Sequence, residues 1–460
     1  MLRWSIYAPA LLATALAHAS PRSDPTTGRA VFTGATLPST TSLTLNPAAI
    51  GLARTWELYF AATAALEQWD IERANGEHGT DAQLGPGGTF AWFFPPGRIS
   101  TLGVELKLPP PELFPDDPTT RYHSLGGYQR NFVVTGGFSL KVASSFYFGV
   151  TVSHDVTLLK LRYARDTVLD TGLGLDCEGS PCGFENPAAQ ETYEVKVRSD
   201  KVSVENTKVN LGILLRLATD VWFGLTYHNT PGFGIQTQLE GRMQYTQAPR
   251  DGGESVRGRS TVLVSYPASV DGELRARILP ELDLHVGGRW EDLSRMQSYD
   301  VRGYGSSFQG LGVPEWVVRP RGFRDSFAAW AGVEQVELDF DKRFRFGGRI
   351  GFETPALKPS RTSPVNIAPT SATLDAGMQL RITPNLSLQL SYGVQLFSKV
   401  DVDDSAYSAQ FAIDCIDSGF DYSTRGCEAL RGGYAIPTAT GSYSRIQHAL
   451  RIGFRYAPAL

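Results

Sequence analysis

The chain has 460 residues, of which 42% are apolar, 11% aromatic and 20% charged, with 47 Gly and only 4 Met; it is too apolar to be disordered, and its load of Gly and aromatics is not that of a helical protein. A formal charge of -4 gives no basic footprint for phosphates, which excludes nucleic acid as a partner. Beyond the N-terminus no window holds about 18 uninterrupted apolar residues, which excludes a bundle of membrane helices but not strands in a membrane.

In chain order, Arg3, an apolar stretch over 4–17 and Ala17-His18-Ala19 have the layout of a signal peptide, residues 1–19, with the mature chain expected from Ser20. Pro9 inside that stretch suits a signal peptide better than a spanning helix. Residues 20–54 are rich in Thr, Ser, Pro, Ala and Gly and lack period-2 alternation, and the first strand is expected near Trp56. This segment is too long for a turn and too short for a domain.

From 55 to 460, apolar and polar residues alternate over stretches of about ten, the length a tilted strand needs to cross a bilayer. Phe132, Val134, Phe138, Leu140 and Val142 share one face, with Asn131, Thr135, Ser139 and Lys141 on the other. Val209, Leu211, Ile213, Leu215 and Leu217 oppose Lys208, Asn210 and Arg216, and Leu374, Met378 and Leu380 oppose Asp375, Gln379 and Arg381. Near the end His448, Leu450, Ile452, Phe454 and Tyr456 oppose Gln447, Arg451 and Arg455.

Across the shortest connections the flanking apolar residues are four apart: Val142 and Phe146, Leu217 and Val221, Ile278 and Leu282, Phe340 and Phe344, Ile382 and Leu386. Opposed residues of an antiparallel pair share a face, so this spacing carries the apolar face through every turn. Polar excursions at 67–87, 109–130, 166–190, 245–255, 303–327, 353–370 and 400–440 alternate with these turns and with Pro95-Pro96-Gly97-Arg98, which predicts fourteen strands with long loops at one end only. A soluble sandwich or propeller has no reason for that asymmetry; an outer-membrane barrel does. Trp56, Trp92, Trp290, Tyr227, Tyr392 and Tyr456 fall near expected strand ends, where amphipathic rings suit a lipid interface, while Trp222 reads as facing the lumen.

Four cysteines form two close pairs, Cys177 with Cys182 and Cys415 with Cys427, both in long polar loops. In an exported chain, local disulfides are the expectation; a zinc site is the rival, though neither spacing is C-x-x-C and no His lies near a pair in sequence. On the polar face around 337–349, Glu337 and Asp339 precede Arg345 and Arg349, and a three-residue connection would set Asp339 opposite Arg345 with Glu337 diagonally between the two arginines, a lumen charge ladder. A catalytic carboxylate pair is the sharper alternative, but the adjoining arginines favour mutual neutralisation. No G-x-S-x-G, H-E-x-x-H or P-loop occurs, and Ser153 and His154, adjacent on a strand, point to opposite faces and cannot form a dyad. Neither an enzyme, a metal nor a cofactor is expected.

Gly28-Arg29-Ala30, Gly34-Ala35 and Asn46-Pro47-Ala48-Ala49, just ahead of the pattern over 56–66, resemble the mature N-terminus of the long-chain fatty acid transporters of Gram-negative outer membranes, the FadL type, which includes importers of aromatic hydrocarbons. Tyr266-Pro267-Ala268, 282–290 and 450–456 carry weaker likeness; Ser39, Thr40, Thr41 and Ser42 stand where the family usually has acidic residues. The resemblance implies a barrel plugged by an N-terminal hatch with Gly28, Gly34, Asn46, Pro47 and Ala48 in its switch, an apolar pocket inside, and a side opening through the wall. The sequence thus predicts an all-β, 14-stranded antiparallel transmembrane barrel: signal peptide 1–19, hatch 20–54, barrel 55–460. The expected function is import of long-chain fatty acids or other hydrophobic small molecules by passive, ligand-gated diffusion, in a monomer whose partners are that ligand and outer-membrane lipids. The rivals are a general or solute-selective porin and an outer-membrane lipase.

Overall fold

A computed structural model describes residues 31–39, 41–97, 99–166, 192–230, 237–309, 316–336, 343–403, 405 and 439–458. Its strands, all paired antiparallel, are β1 (Glu57–Arg73), β2 (His78–Phe94), β3 (Ser100–Leu108), β4 (Glu112–Phe114), β5 (Gly127–Ala143), β6 (Phe146–Asp166), β7 (Glu194–Ala218), β8 (Val221–His228), β9 (Thr237–Thr246) and β10 (Ser255–Val264). There follow β11 (Ser269–Leu279), β12 (Leu282–Glu291), β13 (Ser298–Tyr304), β14 (Trp316–Pro320), β15 (Ser326–Gln335), β16 (Phe344–Glu353), β17 (Ser371–Arg381), β18 (Leu386–Phe397), β19 (Val400–Val402) and β20 (Gly441–Tyr456).

The wall is a closed circuit. It runs β1, β2, β3, β5, β6, β7, β8, continues β11, β12, β15, β16, β17, β18 and β20, and β20 pairs back onto β1. Closure gives every strand of the circuit a partner on both sides, as a strand structure in hydrocarbon requires.

The expected fourteen strands are too few: besides those of the circuit the described residues add β4, β9, β10, β13, β14 and β19, one sheet of twenty. Three stretches that the alternation leaves whole, 221–244, 256–278 and 282–302, are each broken in two, into β8 and β9, β10 and β11, β12 and β13. The lower halves stay in the circuit, and the upper halves form an outer flap in which β9 pairs with β7 and β10, β10 with β13, and β13 with β14. Proline at a break, as in Tyr266-Pro267, removes a ladder donor and ends the strand. The excursion expected at 67–87 is likewise mostly ladder, since β1 and β2 pair from Glu57 with Phe93 up to Glu72 with His78. Above the apolar zone strands continue into water, where pairing persists without the hydropathy pattern that reveals it.

Three of the short connections hold the facing by a bulge. Two turn residues join strands whose ladders shift by one at 141/143, 216/218 and 277/279; the extra residue restores the parity that the four-residue spacing demands. The apolar face therefore points outward throughout: Phe60, Leu217, Phe352 and Ile350 are 55%, 60%, 54% and 62% exposed. Thr63, Thr135, Ser139, Thr151 and Gln379 are buried on the inner side. At about 3.3 Å per residue, the outward set from 209 to 217 covers roughly 26 Å along β7, about 20 Å of height at a tilt of about 40°, most of a hydrocarbon belt. At the short-turn end Trp56 packs on Tyr456 at 5.3 Å and Trp92 on Phe94 at 6.3 Å between ring centroids, an interfacial girdle. Trp222 turns inward against Tyr147, 6.1 Å between ring centroids.

Placing a charge in this belt tests the facing. Ile213→Arg, at the middle of the outward set on β7, is expected to cost about 2–4 kcal/mol of barrel stability in bilayers, read by urea unfolding in lipid vesicles; an unchanged unfolding midpoint would reverse the assignment of inside and outside.

Candidate transport site

Inside the circuit lies the N-terminal segment. It runs from Val31 through a short helix, α1 (Ser42–Leu45), and a 3-10 turn (Ala49–Leu52) into β1. Val31, Thr36, Asn46, Ala48, Ala49 and Ile50 are fully buried there. Asn46 is its central tie: Nδ2 donates to Ala35 O at 2.7 Å and to Ile213 O of β7 at 3.0 Å, while Oδ1 accepts from Ala48 N at 3.1 Å. The carbonyl of Ala48 accepts from Ser139 Oγ of β5 at 3.0 Å.

The wall makes room for this segment with glycine. A Cβ on Gly149 would come within 2.3 Å of Ala48 N, one on Gly212 within 2.1 Å of Asn46 Oδ1 and 2.8 Å of Pro47 Cδ, and one on Gly224 within 2.5 Å of Ala35 O. These three residues sit on neighbouring strands β6, β7 and β8, so together they form a trough shaped to the Asn46-Pro47-Ala48 turn.

Beside the trough, where Glu273 of β11 pairs with Gly224 of β8, the wall meets the segment with acids. Glu273 of β11 accepts from Thr36 N at 3.2 Å and Thr36 Oγ1 at 2.5 Å, and Glu334 of β15 accepts from Phe32 N at 2.9 Å. Fully buried His285 lies between the two carboxylates, Nδ1 3.6 Å from Glu273 and Nε2 3.6 Å from Glu334. Arg349 of β16 closes the cluster, 2.6 Å from Glu334 and 4.0 Å from Glu273, and also donates to Thr33 O. The hydroxyls of Ser39 and Ser42 bond within the segment, Ser39 Oγ to Thr41 Oγ1 at 2.7 Å and Ser42 Oγ to Gly34 O at 3.3 Å. The negative charge absent from the segment is thus supplied by the wall.

Of the hatch residues expected from sequence, Gly34, Asn46, Pro47 and Ala48 meet here, and Gly28 lies outside the described residues, as do residues 1–19, Cys177, Cys182, Cys415 and Cys427. The charge ladder is corrected. Glu337 and Asp339 lie outside the described residues, and the ladder of β15 with β16 sets Glu334, not Glu337, opposite Gly347, between the two arginines. β15 ends at Gln335, and Val336 N bonds Glu281 O at 2.9 Å in a neighbouring turn, while the three-residue connection expected at 341–343 falls mostly outside the described residues. Arg345 donates to Gln335 O at 2.8 Å and to Gln379 Oε1 at 3.0 Å, with its guanidinium 5.0 Å from the Phe32 ring centroid. Ser153 is buried inward, 2.8 Å from Thr135 Oγ1, while His154 points out beside Glu205 at 3.7 Å, so no dyad forms. Sequence reasoning missed Glu273, His285, Glu334 and the glycine trough.

Above the segment is a cavity of about 240 Å³ whose lining includes Thr44 and Leu45 of α1. It sits where the wall breaks: Pro109 and Pro110 follow β3, Asn229 follows β8, Tyr266 and Pro267 separate β10 from β11, and Glu291 ends β12. Tyr266 packs upward against an apolar core of the outer half that includes Leu159, Val202, Leu239, Val262 and Phe308. The apolar pocket implied by resemblance is in fact edged with charges, Lys208 among them paired to Asp155 at 3.3 Å.

A closed barrel with an oily outer face and a polar inner one is a transmembrane β-barrel. This chain has the FadL-type fold: it is similar to a Pseudomonas aeruginosa FadL homologue at 12% identity and TM-score 0.72, over 96% of this chain and 99% of that one. It is also similar to the CymD monoaromatic hydrocarbon channel (13% identity, TM-score 0.63, 95% and 98% covered) and to the P. putida toluene transporter TodX (11%, 0.64, 92% and 95%). No family model and no curated protein sequence matches the chain.

Proposed function

We propose that this protein carries hydrophobic small molecules inward across a bacterial outer membrane, passively, with the N-terminal segment as a plug that ligand occupancy displaces. The observation that carries this is the floor of the cavity. Thr44 and Leu45 line it, and the next residues, Asn46 and Pro47, are those seated in the glycine trough. A molecule entering the cavity therefore bears on the element that blocks the way out. Such coupling needs a ligand with different affinity for the seated and displaced states, and contact with the floor supplies it. The names of the fold's neighbours, a monoaromatic hydrocarbon channel and a toluene transporter, support the same substrate class.

A sideways exit also has support. Strand β3 pairs with β2 only over 88–94 and ends before Pro109. Above that, Gln83 Nε2 reaches Phe114 O at 2.9 Å and Asp81 accepts from Asp116 N at 2.9 Å, side-chain ties in place of a ladder. A seam held this way parts at lower cost than a strand pair.

The test is uptake by cells whose outer membrane lacks such a channel, because the polysaccharide layer there bars apolar solutes. Saturable uptake of labelled toluene or palmitate, with little ion conductance in planar bilayers, is expected. Large ligand-independent conductance without saturable uptake would make the protein a porin, and ester hydrolysis abolished by one Ser→Ala change would make it a lipase. Pro47→Ala is expected to slow uptake about fivefold in a folded barrel, the effect of roughly 1 kcal/mol of added backbone freedom in a segment that must move as a unit. Normal uptake by that variant would remove the turn from the gate.

A further inference from the structure

The cavity's electrostatics point to a narrower substrate class. Among its described lining residues, each charge is answered locally. Lys208 lies 3.3 Å from Asp155, His228 is 2.8 Å from Asp271, and Arg289 is 2.9 Å from Asp271 and 3.5 Å from Glu291. Glu112 accepts from Arg321 at 2.9 Å, and Lys107, nearly buried, is partnered as well. A carboxylate entering this space finds no cation that is not already neutralised, and it sheds its own water to get there.

A pure hydrocarbon fits no better. The side chains of Asn131 on β5 and Asn210 on β7 line the cavity, and Oδ1 of each is buried without a hydrogen-bond partner. Asn210 is 2% exposed, and its Nδ2 donates to Thr151 Oγ1 at 3.0 Å, which leaves Oδ1 outstanding. Buried acceptors ask for donors, and a methyl group offers none. In size, a cavity of about 240 Å³ has room for a single substituted ring.

We infer that the cavity selects small, uncharged, hydroxylated ring compounds, phenols above all, over both hydrocarbons and free fatty acids. The hydroxyl donates to one of the Asn131 and Asn210 amide oxygens, and the ring lies against the apolar part of the lining, Leu45, Val133 and Tyr266. This rests on the import reading above and sharpens it, because specificity for a polar handle comes from leaving the site's polar groups unpaired when the handle is missing.

The test is calorimetric titration of the full chain in detergent with three molecules built on one ring: p-cresol, toluene and benzoate. The expected order is p-cresol at least tenfold tighter than toluene, with benzoate not measurable in the same range. Asn131→Leu is expected to erase the preference for p-cresol, and Asp155→Asn, by leaving Lys208 without its acid, to confer benzoate binding. If Asp155→Asn does not fold, as judged by loss of the compact band on unheated gels, the wild-type order and Asn131→Leu decide. Toluene equal to or tighter than p-cresol, measurable benzoate binding to the wild type, or no binding of any of the three overturns the inference. Import of apolar compounds by a protein that ranks toluene first would sink this inference alone; the expected order in a protein that fails to speed uptake would sink the import reading instead.

Discussion

Replacing Gly212 with leucine is expected to turn a closed barrel into a leaking one. The new Cβ falls 2.1 Å from Asn46 Oδ1 and 2.8 Å from Pro47 Cδ, and neither neighbour can step aside. Asn46 is held from both ends of its amide, by Ala35 O and Ile213 O on one side and Ala48 N on the other, and Pro47 is a ring with its φ fixed. Beyond Pro47 the way is shut by Gly149, where backbone lies on backbone. Overpacking together with loss of Asn46's hydrogen bonds costs about 2–5 kcal/mol, which lowers occupancy of the seated state by roughly thirtyfold to several thousandfold. The readout is single-channel conductance in planar bilayers, where Gly212→Leu opens steps that the wild type lacks while the barrel still resists sodium dodecyl sulfate. A folded Gly212→Leu barrel as silent as the wild type would show that the trough does not hold the plug.

Why that site was half visible in the sequence follows from what each part answers to. Lipid imposes a strict rule on one face of a strand, so the outward sets on β5, β7, β17 and β20 were legible from alternation, and so was the parity of the turns. Water imposes no such rule. Where β1 and β2 continue past the belt, outward Asp70 and His78 and the small residues between 85 and 88 carry no period, and a regular hairpin reads as a loop. The broken strands had a local signal that alternation overrode, since Pro231 and Pro267 each lie inside a stretch taken as continuous.

The segment's own residues were legible through the resemblance carried by Gly34-Ala35 and Asn46-Pro47-Ala48, but its seat was not. Gly149, Gly212 and Gly224 stand far apart in sequence, and only the pairing of β6 with β7 and β7 with β8 makes them one trough. Inward glycines on successive strands are a signal of close approach, available once a register is assumed. The acid cluster failed for the opposite reason. A register was assumed for β15 and β16, and an error of three residues moved the partner of the arginines from Glu334 to Glu337. A charge pattern read across two strands is only as good as the turn between them.

That cluster is also where the largest loss of stability is expected. Arg349 has 1% of its side chain exposed, Glu273 and Glu334 almost none, and the guanidinium reaches Glu334 at 2.6 Å and Glu273 at 4.0 Å. Arg349→Met keeps the bulk and removes the charge, which leaves two buried carboxylates around His285 with no guanidinium between them and Thr33 O without that donor. Breaking a buried pair from one side costs about 3–5 kcal/mol, measured as a lowered urea midpoint in lipid vesicles. Glu334→Leu in the same chain is expected to recover part of the loss, since removing both partners also removes the unpaired charge, but not all of it, because Phe32 N then loses its acceptor at 2.9 Å. A double variant no more stable than Arg349→Met alone would show that the two side chains act independently, and the segment would have to be held by the trough without help from the acid cluster beside it.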